Sequence, residues 1–167
     1  SKNCDGSISP WNPDGVDTFA KPCYDYRSMA PAAEFLQELT TGLNSLGWHV
    51  YQCDHEDANG QYEVNFDYSD ALTTSDRVTF FKMMTGQLAK KYGAIATHMP
   101  KPFSDQTGSG LHAHFHVADA KSGENVFTDH KDKRKLGLST FAYHFLGGVL
   151  AHAGATAAVT SPTVNCY

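Results

Sequence analysis

An Asn-Gly turn between two β-forming runs is the feature that most restricts how this chain can fold. Trp48 to Cys53 and Gln61 to Tyr68 are rich in aromatic, Val and other strand-compatible residues, and Asn59-Gly60 lies in the segment that joins them. Asn and Gly readily adopt the positive φ angles of a tight turn, so this arrangement is a strong hairpin signal. The sequence therefore predicts two adjacent antiparallel strands over 48–68.

Helical patterns flank this hairpin on both sides. Apolar residues recur at helical spacing in each pattern, and prolines, glycines or capping side chains mark the ends. The predicted elements, in chain order, are loops over 1–30, a helix from about Pro31 to Gly47, a helix from Thr74-Ser75-Asp76 to Gly93, strands over Ala94–Met99 and Leu111–Ala118, and a helix from about Ser139 to Ala158 that is relaxed at Gly147-Gly148. This interleaving is typical of the α+β class, with a largely antiparallel sheet and flanking helices.

The composition of the 167-residue chain is that of a globular protein, with 41% apolar, 12% aromatic and 19% charged residues. Its net charge of −5 argues against a nucleic-acid-binding or anionic membrane surface, because both need a clustered basic face. No segment has the features of a signal peptide or a membrane span. Four scattered cysteines without a C-x-x-C pair are typical of reduced thiols, so we expect a cytoplasmic protein.

Side-chain alternation places polar groups together on one face of two predicted strands. In the second strand of the hairpin that face includes Glu63, and in the strand at 111–118 it holds a row of three histidines, His112, His114 and His116. A single amphipathic strand is often only a solvated sheet face. Three histidines in one row favour function instead, because imidazole binds metal ions when neutral and phosphate oxygens when protonated.

Two further features indicate a site near these strands. The loop Gly108-Ser109-Gly110 offers backbone N–H groups that no side chain shields, a surface suited to carboxylate or phosphate. Four carboxylates and an imidazole lie close together around the hairpin turn: Asp54, His55, Glu56, Asp57 and Glu63. Such a cluster repels itself unless a cation is present, and oxygen-rich ligation suits Mg²⁺ or Mn²⁺ better than Zn²⁺. A solvated acidic turn is the alternative interpretation for Asp54 and Asp57.

These residues resemble, in order, the motifs of the glutamine synthetase family. Four ordered motifs over residues 55–167 make the resemblance specific, whereas a lone His-x-His would not. The matching segments are His55-Glu56 followed by Gly60-Gln61-Tyr62-Glu63, then Met99-Pro100-Lys101-Pro102, then Gly108-Ser109-Gly110-Leu111-His112-Ala113-His114, and lastly Ser161-Pro162-Thr163-Val164-Asn165-Cys166-Tyr167. Residues 1–50 carry no such motif, although they would fall in the same catalytic domain.

The resemblance implies an ATP-dependent ligase. The family makes glutamine from L-glutamate, ammonia and ATP through γ-glutamyl phosphate. The resemblance further implies a funnel-shaped site lined by a curved, largely antiparallel sheet, Mg²⁺ or Mn²⁺ as cofactor, and a double-ring homo-oligomer with sites between subunits. Phosphoryl transfer to a carboxylate brings several anionic oxygens together, so metal ions and positive donors must neutralise the charge as it shifts.

Motif positions then imply roles for individual residues. The implied roles are metal ligation by Glu56, Glu63 and His112, a catalytic contact of His114 with the transferred phosphoryl group, glutamate binding by Thr107 and Gly108, and ATP binding by Tyr51, His114 and His116. The physical chemistry of these residue types agrees with such roles, because carboxylates hold hard cations and a histidine can donate a hydrogen bond to phosphate.

Three of these positions depart from the family pattern. Thr107 stands where the family usually has Asn, His116 where Ser is common, and Tyr51 where a nucleotide-contacting Glu often occurs. The departures leave the amine specificity open, so a γ-glutamyl-amine ligase that uses methylamine or a polyamine is one alternative. An alternative from another class is a non-catalytic metal-binding β module, in which the histidine row and Glu63 form a complete site.

The resemblance also implies that residues 1–167 are a fragment of one catalytic domain. The chain does not begin with Met, and it ends directly after the turn signal Ser161-Pro162. The family's N-terminal β-grasp-like domain, a Glu-x-Glu metal strand, and a C-terminal part that carries arginines and glutamates of the site would lie outside it. We therefore expect the isolated chain to bind divalent metal weakly and to catalyse nothing, and the full-length protein to be either active or a pseudoenzyme.

Overall fold

The computed structural model describes Asn3 and residues 5–166. They form two compact units, Ser1–Ser109 (unit 1) and Gly110–Tyr167 (unit 2). Helices and a two-stranded antiparallel sheet are combined in the described residues, which confirms the predicted α+β class. No helix among these residues is long and apolar enough to cross a lipid bilayer.

The first helix of unit 1 is short and lies where the sequence predicted only loops. Helix α1 spans Tyr26–Met29, and the side chain of Asp25 caps it by accepting a hydrogen bond from the backbone N–H of Ser28 at 2.7 Å. A 3₁₀ turn at Ala30–Ala32, with Pro31 near its start, leads into helix α2 at Ala33–Ser45. The loop prediction for 1–30 is therefore wrong at its end, because one capping carboxylate is enough to begin a helix there.

The core of unit 1 lies between α2, the hairpin and the following helix. Leu39, Leu43 and Trp48 form its buried centre. Apolar side chains from three elements pack against this centre: Phe35, Val50, Val64, Phe66, Phe81, Met84 and Leu88. The predicted apolar stripe of α2 is therefore confirmed at its buried positions, and it fixes the hairpin against the helices.

The hairpin forms as the Asn-Gly signal predicts. Strand β1 spans Val50–His55, strand β2 spans Tyr62–Phe66, and they pair antiparallel. In this register Asp54 is opposite Glu63, one pair before the end of the ladder nearest the turn. Gly60 has φ +66°, which is the left-handed conformation that the turn requires.

Helix α3 and the segment after it differ from the prediction. Helix α3 spans Ala71–Lys91 and begins one turn before the predicted start, because Asp70 caps it by accepting from two backbone N–H groups. The predicted strand at 94–99 does not form. That segment lies against α3, where the ring Nε2 of His98 is 2.9 Å from Oγ1 of Thr85, and no strand of the described chain pairs with it.

Unit 2 consists of an irregular segment followed by two helices. The predicted strand at 111–118 is wrong, since only Ala118 makes an isolated β-bridge, to Asn125. An extended segment without a neighbour to accept its backbone hydrogen bonds cannot build a ladder. Helices α4, Thr140–Ala151, and α5, Ala153–Thr160, replace the single predicted helix. The break falls at His152 rather than at the predicted Gly147-Gly148.

Candidate active site at the hairpin turn

Two of the predicted metal ligands lie at the end of the hairpin. Glu56 directly follows β1, and Glu63 is in β2 opposite Asp54. The turn is closed by a hydrogen bond from the backbone N–H of Glu56 to the carbonyl oxygen of Gln61 at 2.9 Å. Partial burial raises the pKa of Glu56, and the nearby negative charge of Glu63 raises it further. The hairpin therefore brings two carboxylates together although their charges repel.

This pair fits a divalent cation. Mg²⁺ is commonly held by one or two protein carboxylates, with water and substrate phosphates as the remaining ligands. No group of three or more His, Cys, Asp or Glu side chains within Asn3 and residues 5–166 is arranged to hold a metal ion. Of the three predicted metal ligands, Glu56 and Glu63 belong to unit 1, and His112 belongs to unit 2.

The glycine loop of the predicted substrate site packs against the same turn. The hydroxyl of Thr107 donates to Oδ2 of Asp57 at 3.2 Å, and Nε2 of Gln61 donates to the carbonyl oxygen of Gly108 at 3.0 Å. A Cβ at Gly108 would lie 2.7 Å from the carbonyl oxygen of Pro100, so only glycine fits there. Thr107 and Gly108, both predicted to bind glutamate, are thereby brought beside the turn that carries Glu56.

A buried polar network supports the turn from its other side. The ring of His55 is fully buried, and its Nδ1 donates to the carbonyl oxygen of Glu56 at 2.7 Å. Its Nε2 lies 3.1 Å from Oδ2 of Asp17. The same carboxylate accepts hydrogen bonds from the backbone N–H of Gly60 at 2.9 Å and from Nδ2 of Asn59 at 2.8 Å.

Neither Asp17 nor Gln61 was among the site residues predicted from the sequence. Asp17 lies 38 positions before the histidine that it contacts, and no periodicity connects the two. Gln61 carried a signal, because it belongs to the motif that includes Glu56 and Glu63. Its side chain bonds both the turn, by accepting from the backbone N–H of Ala58 at 3.0 Å, and the glycine loop.

The predicted nucleotide-side residues lie on exposed surfaces. Tyr51 is in β1 and is 67% exposed. His112, His114 and His116 lie in the irregular segment of unit 2, and all three are exposed. The alternation that was expected to bury Leu111 and the other apolar residues of this segment is wrong, because without a strand ladder the segment has no two distinct faces.

Comparison with known proteins identifies the family. Residues 4–167 match the family model described as glutamine synthetase, catalytic domain. A glutamate–methylamine ligase of Methyloversatilis universalis is 48% identical over 99% of this chain and 37% of the relative. A glutamine synthetase of Rhizobium meliloti is 49% identical over 92% of this chain and 35% of the relative.

Solved structures have the same fold. The structure of apo GmaS without ligand matches with a TM-score of 0.88 at 48% identity, covering 98% of this chain and 37% of that one. A Plasmodium falciparum glutamine synthetase studied by cryo-electron microscopy matches with a TM-score of 0.73 at 30% identity, covering 80% of this chain and 25% of that one. This chain thus spans about a third of the length of the curated relatives described above. The ordered motifs, the hairpin that carries the first of them and these matches agree, and the chain belongs to the glutamine synthetase family through its catalytic domain.

Proposed function

We propose that this chain is the central part of the catalytic domain of an ATP-dependent ligase that joins ammonia to the γ-carboxylate of L-glutamate. The observation that carries the proposal is the pairing of Glu56 with Glu63 at a turn that also holds the glycine loop. Two adjacent carboxylates offer a place for a divalent cation, and the loop beside them allows a substrate to approach the backbone closely.

The reaction proceeds in two chemical steps. The γ-carboxylate of glutamate attacks the terminal phosphorus of ATP and releases ADP, and the amine then displaces phosphate from γ-glutamyl phosphate. Mg²⁺ or Mn²⁺, when bound, supplies positive charge that offsets the anionic oxygens of both substrates.

Each predicted residue has a part in this scheme. Glu56 and Glu63, with His112, hold the metal ions, while Thr107 and Gly108 orient glutamate. His114 donates a hydrogen bond to the transferred phosphoryl group, and a donor in that position stabilises the charge that develops on its oxygens. In the proposed site Tyr51, His114 and His116 lie against ATP.

Methylamine is the second candidate for the amine substrate. The relative from Methyloversatilis universalis is a glutamate–methylamine ligase, and its similarity covers nearly the whole of this chain. The hydroxyl of Thr107, which stands where the family usually has Asn, is bonded to Asp57. A substitution beside the proposed glutamate-binding loop changes the surroundings of the substrate, so both amines need to be compared directly.

The remaining parts of the proposal concern the whole protein. We propose that residues 1–167 lie within a longer chain of the relatives' length, and that this longer chain forms a double-ring homo-oligomer. The isolated 167-residue chain is then expected to be inactive. In contrast, a self-contained metal-binding β module would bind one metal ion tightly in the isolated chain, which calorimetric titration with Mn²⁺ would detect.

The test measures phosphate release by the full-length gene product with L-glutamate, ATP and Mg²⁺, and adds ammonium, methylamine or putrescine in separate reactions. Mass spectrometry of the products then identifies the amide formed. We expect phosphate release that depends on the amine, and a γ-glutamyl amide as the product. The amine that gives the fastest phosphate release identifies the amine specificity. Absence of amine-dependent release with all three amines, by a folded protein that binds Mn²⁺, would contradict the proposed function.

A further inference from the structure

Asp17 is a buried carboxylate. Along the sequence it lies far from every predicted site residue. It is 5% exposed, and it is the one carboxylate classed as buried within the described residues. Burying a charged group is costly unless hydrogen bonds compensate it. Here both oxygens are bonded: Oδ1 accepts from Asn59, and Oδ2 accepts from the backbone of Gly60 and contacts the ring of His55.

The backbone around Asp17 is itself held in place. Nδ2 of Asn12 donates to the carbonyl oxygen of Asp17 at 3.0 Å, and the backbone N–H of Asp17 donates to Oδ1 of Asn12 at 3.2 Å. A Cβ on Gly60 would lie 2.9 Å from both the backbone nitrogen and the carbonyl oxygen of Trp11. Residues 11–17 are therefore fitted closely against the hairpin turn, and the position of the Asp17 carboxylate is well determined.

This carboxylate spans the turn that carries Glu56. At one end it contacts His55, whose Nδ1 donates to the carbonyl oxygen of Glu56 at 2.7 Å. At the other end it accepts from the backbone of Gly60, directly before Gln61, whose carbonyl oxygen accepts from the backbone N–H of Glu56. The carbonyl oxygen of Glu56 is thus hydrogen-bonded to His55, which contacts Asp17. The backbone N–H of Glu56 is hydrogen-bonded to Gln61, the residue directly after Gly60, which donates to Asp17.

We propose that Asp17 is a positioning residue for metal binding by the Glu56–Glu63 pair, acting through His55 and the backbone of the turn. The inference rests on the proposed function, because it requires that this pair binds a divalent cation. Two carboxylates that repel one another take up separate positions unless the backbone beneath them is fixed. Asp17 supplies that constraint from residues outside the family motifs, and it makes no contact with the metal itself.

Asp17→Asn is the decisive variant. It keeps the size of the side chain but replaces one acceptor oxygen with an NH₂ group. In place of Oδ1 this group would face Nδ2 of Asn59, and in place of Oδ2 it would face the backbone N–H of Gly60 and the ring of His55. The experiment titrates Mn²⁺ into the full-length protein and measures free Mn²⁺ by electron paramagnetic resonance. Loss of a group that supports metal ligands typically weakens metal affinity by about 10- to 100-fold, and we expect a loss in that range.

Asp14→Asn is the matched control, because Asp14 is exposed in the same loop and bonds only locally, to the backbone N–H of Val16. Its Mn²⁺ affinity should equal that of the wild type. A purely structural role of Asp17 would lower the urea midpoint without metal and leave the affinity of the folded protein unchanged. A positioning role additionally raises the Mn²⁺ concentration needed for half-maximal turnover, while saturating Mn²⁺ restores kcat.

Unchanged Mn²⁺ affinity in a folded Asp17→Asn protein would overturn the proposal. If that variant does not fold, Asn59→Ala decides in the same way. It removes the hydrogen bond to Oδ1 of Asp17, together with those to the carbonyl oxygens of Asp17 and Phe19, without changing a charge. Weaker Mn²⁺ binding by Asn59→Ala then supports the proposal, and unchanged binding overturns it. A wild-type protein that binds no Mn²⁺ would refute the proposed function and this inference together, a result distinct from equal binding by wild type and variant.

Discussion

The two units of the chain differ in how far they bury their apolar side chains. In unit 1, Leu39, Leu43 and Trp48 are at most 4% exposed and form a core between helices and hairpin. Among the described residues of unit 2, Ala142 is the one buried apolar side chain, whereas Leu150 in α4 is 67% exposed. The contacts of unit 1 thus bury a core of large apolar side chains, although others such as Leu46 and Leu72 stay exposed, whereas the contacts of unit 2 bury no large apolar side chain among its described residues.

The difference follows from the sequences of the helices. Helix α2 has an apolar stripe and a polar face, so one layer of neighbours covers it. Helices α4 and α5 are apolar on nearly all sides, a pattern typical of helices buried in the core of a large protein. The free energy of unfolding should therefore depend strongly on individual apolar side chains in unit 1, and much less on those in unit 2.

Truncation of a core leucine should show the largest effect. Leu43→Ala in the isolated chain is expected to lower the free energy of unfolding by about 2–5 kcal/mol, because it leaves a cavity beside Trp48. Leu150→Ala removes the same atoms from an exposed position and should change it by less than about 0.5 kcal/mol. Urea unfolding followed by far-ultraviolet circular dichroism measures both, because helices occur in both units. Equal effects of the two substitutions would show that the comparison between units is wrong.

Replacing a glycine by alanine should change the free energy of unfolding in opposite directions in the two units. In Gly108→Ala the new Cβ would meet the carbonyl oxygen of Pro100, and displacing the loop should cost about 1–3 kcal/mol. Gly148→Ala adds a Cβ in open space within α4, where alanine is favoured over glycine by about 1 kcal/mol. Thermal unfolding of the two variants of the isolated chain tests the signs, and in the full-length protein the KM for glutamate should rise only in Gly108→Ala. Destabilisation by both would contradict this account.

A pH-dependent region is expected in unit 2. Desolvation opposes ionisation of Asp132, but hydrogen bonds from backbone N–H groups and from the Tyr143 hydroxyl prevail and lower its pKa to about 2. Because the folded pKa lies below the unfolded value of about 3.9, this stabilisation is complete above pH ~4 and is lost as the pH falls towards 2. Hydrogen exchange of the 129–143 segment, corrected for intrinsic rates, should show loss of protection in that range.

Asp132→Asn should remove this protection already at neutral pH, since it loses the charge that the four donors stabilise. Asp105→Asn, at an exposed position in unit 1, serves as the control and should leave the segment unchanged. Equal protection of wild type and Asp132→Asn at neutral pH would show that the carboxylate does not hold this loop together.

The smallest expected change in stability is at the carboxylate pair. Glu63→Gln removes a like charge beside Glu56, whose pKa is raised by burial and by that charge. Without divalent metal the variant should therefore unfold at a slightly higher urea concentration than the wild type, and its Mn²⁺ affinity should fall. Glu124→Gln, an exposed carboxylate of unit 2, should change neither property. A stability loss in metal-free Glu63→Gln would indicate that the two carboxylates do not repel one another.

The sequence predicted best where local chemistry decides the structure. The Asn59-Gly60 turn and the apolar stripe of α2 could be predicted, because residues close together in the chain determine both. The strand at 111–118 was wrong because alternation alone cannot provide a hydrogen-bonding neighbour. The support of Glu56 by Asp17 depends on a contact between distant positions, for which a single sequence contains no periodic signal.

The same division applies to the candidate site. Motif positions placed Glu56, Glu63, Thr107 and Gly108 together, and the structure brings these residues to one turn. The histidines of unit 2 were chosen from a strand pattern that does not form, so their roles depend on the family motif alone. The structure showed in addition that Asp57, which the sequence placed only in the acidic cluster, and Gln61 contact the loop residues Thr107 and Gly108.

Mn²⁺ binding by the full-length protein, measured by electron paramagnetic resonance for wild type and Glu63→Gln, tests the central claim most directly. We expect the wild type to bind Mn²⁺ and the variant to bind it at least about tenfold more weakly, because the variant loses one of the two proposed carboxylate ligands. Equal Mn²⁺ affinity of the two folded proteins would contradict the claim that the hairpin turn holds the metal.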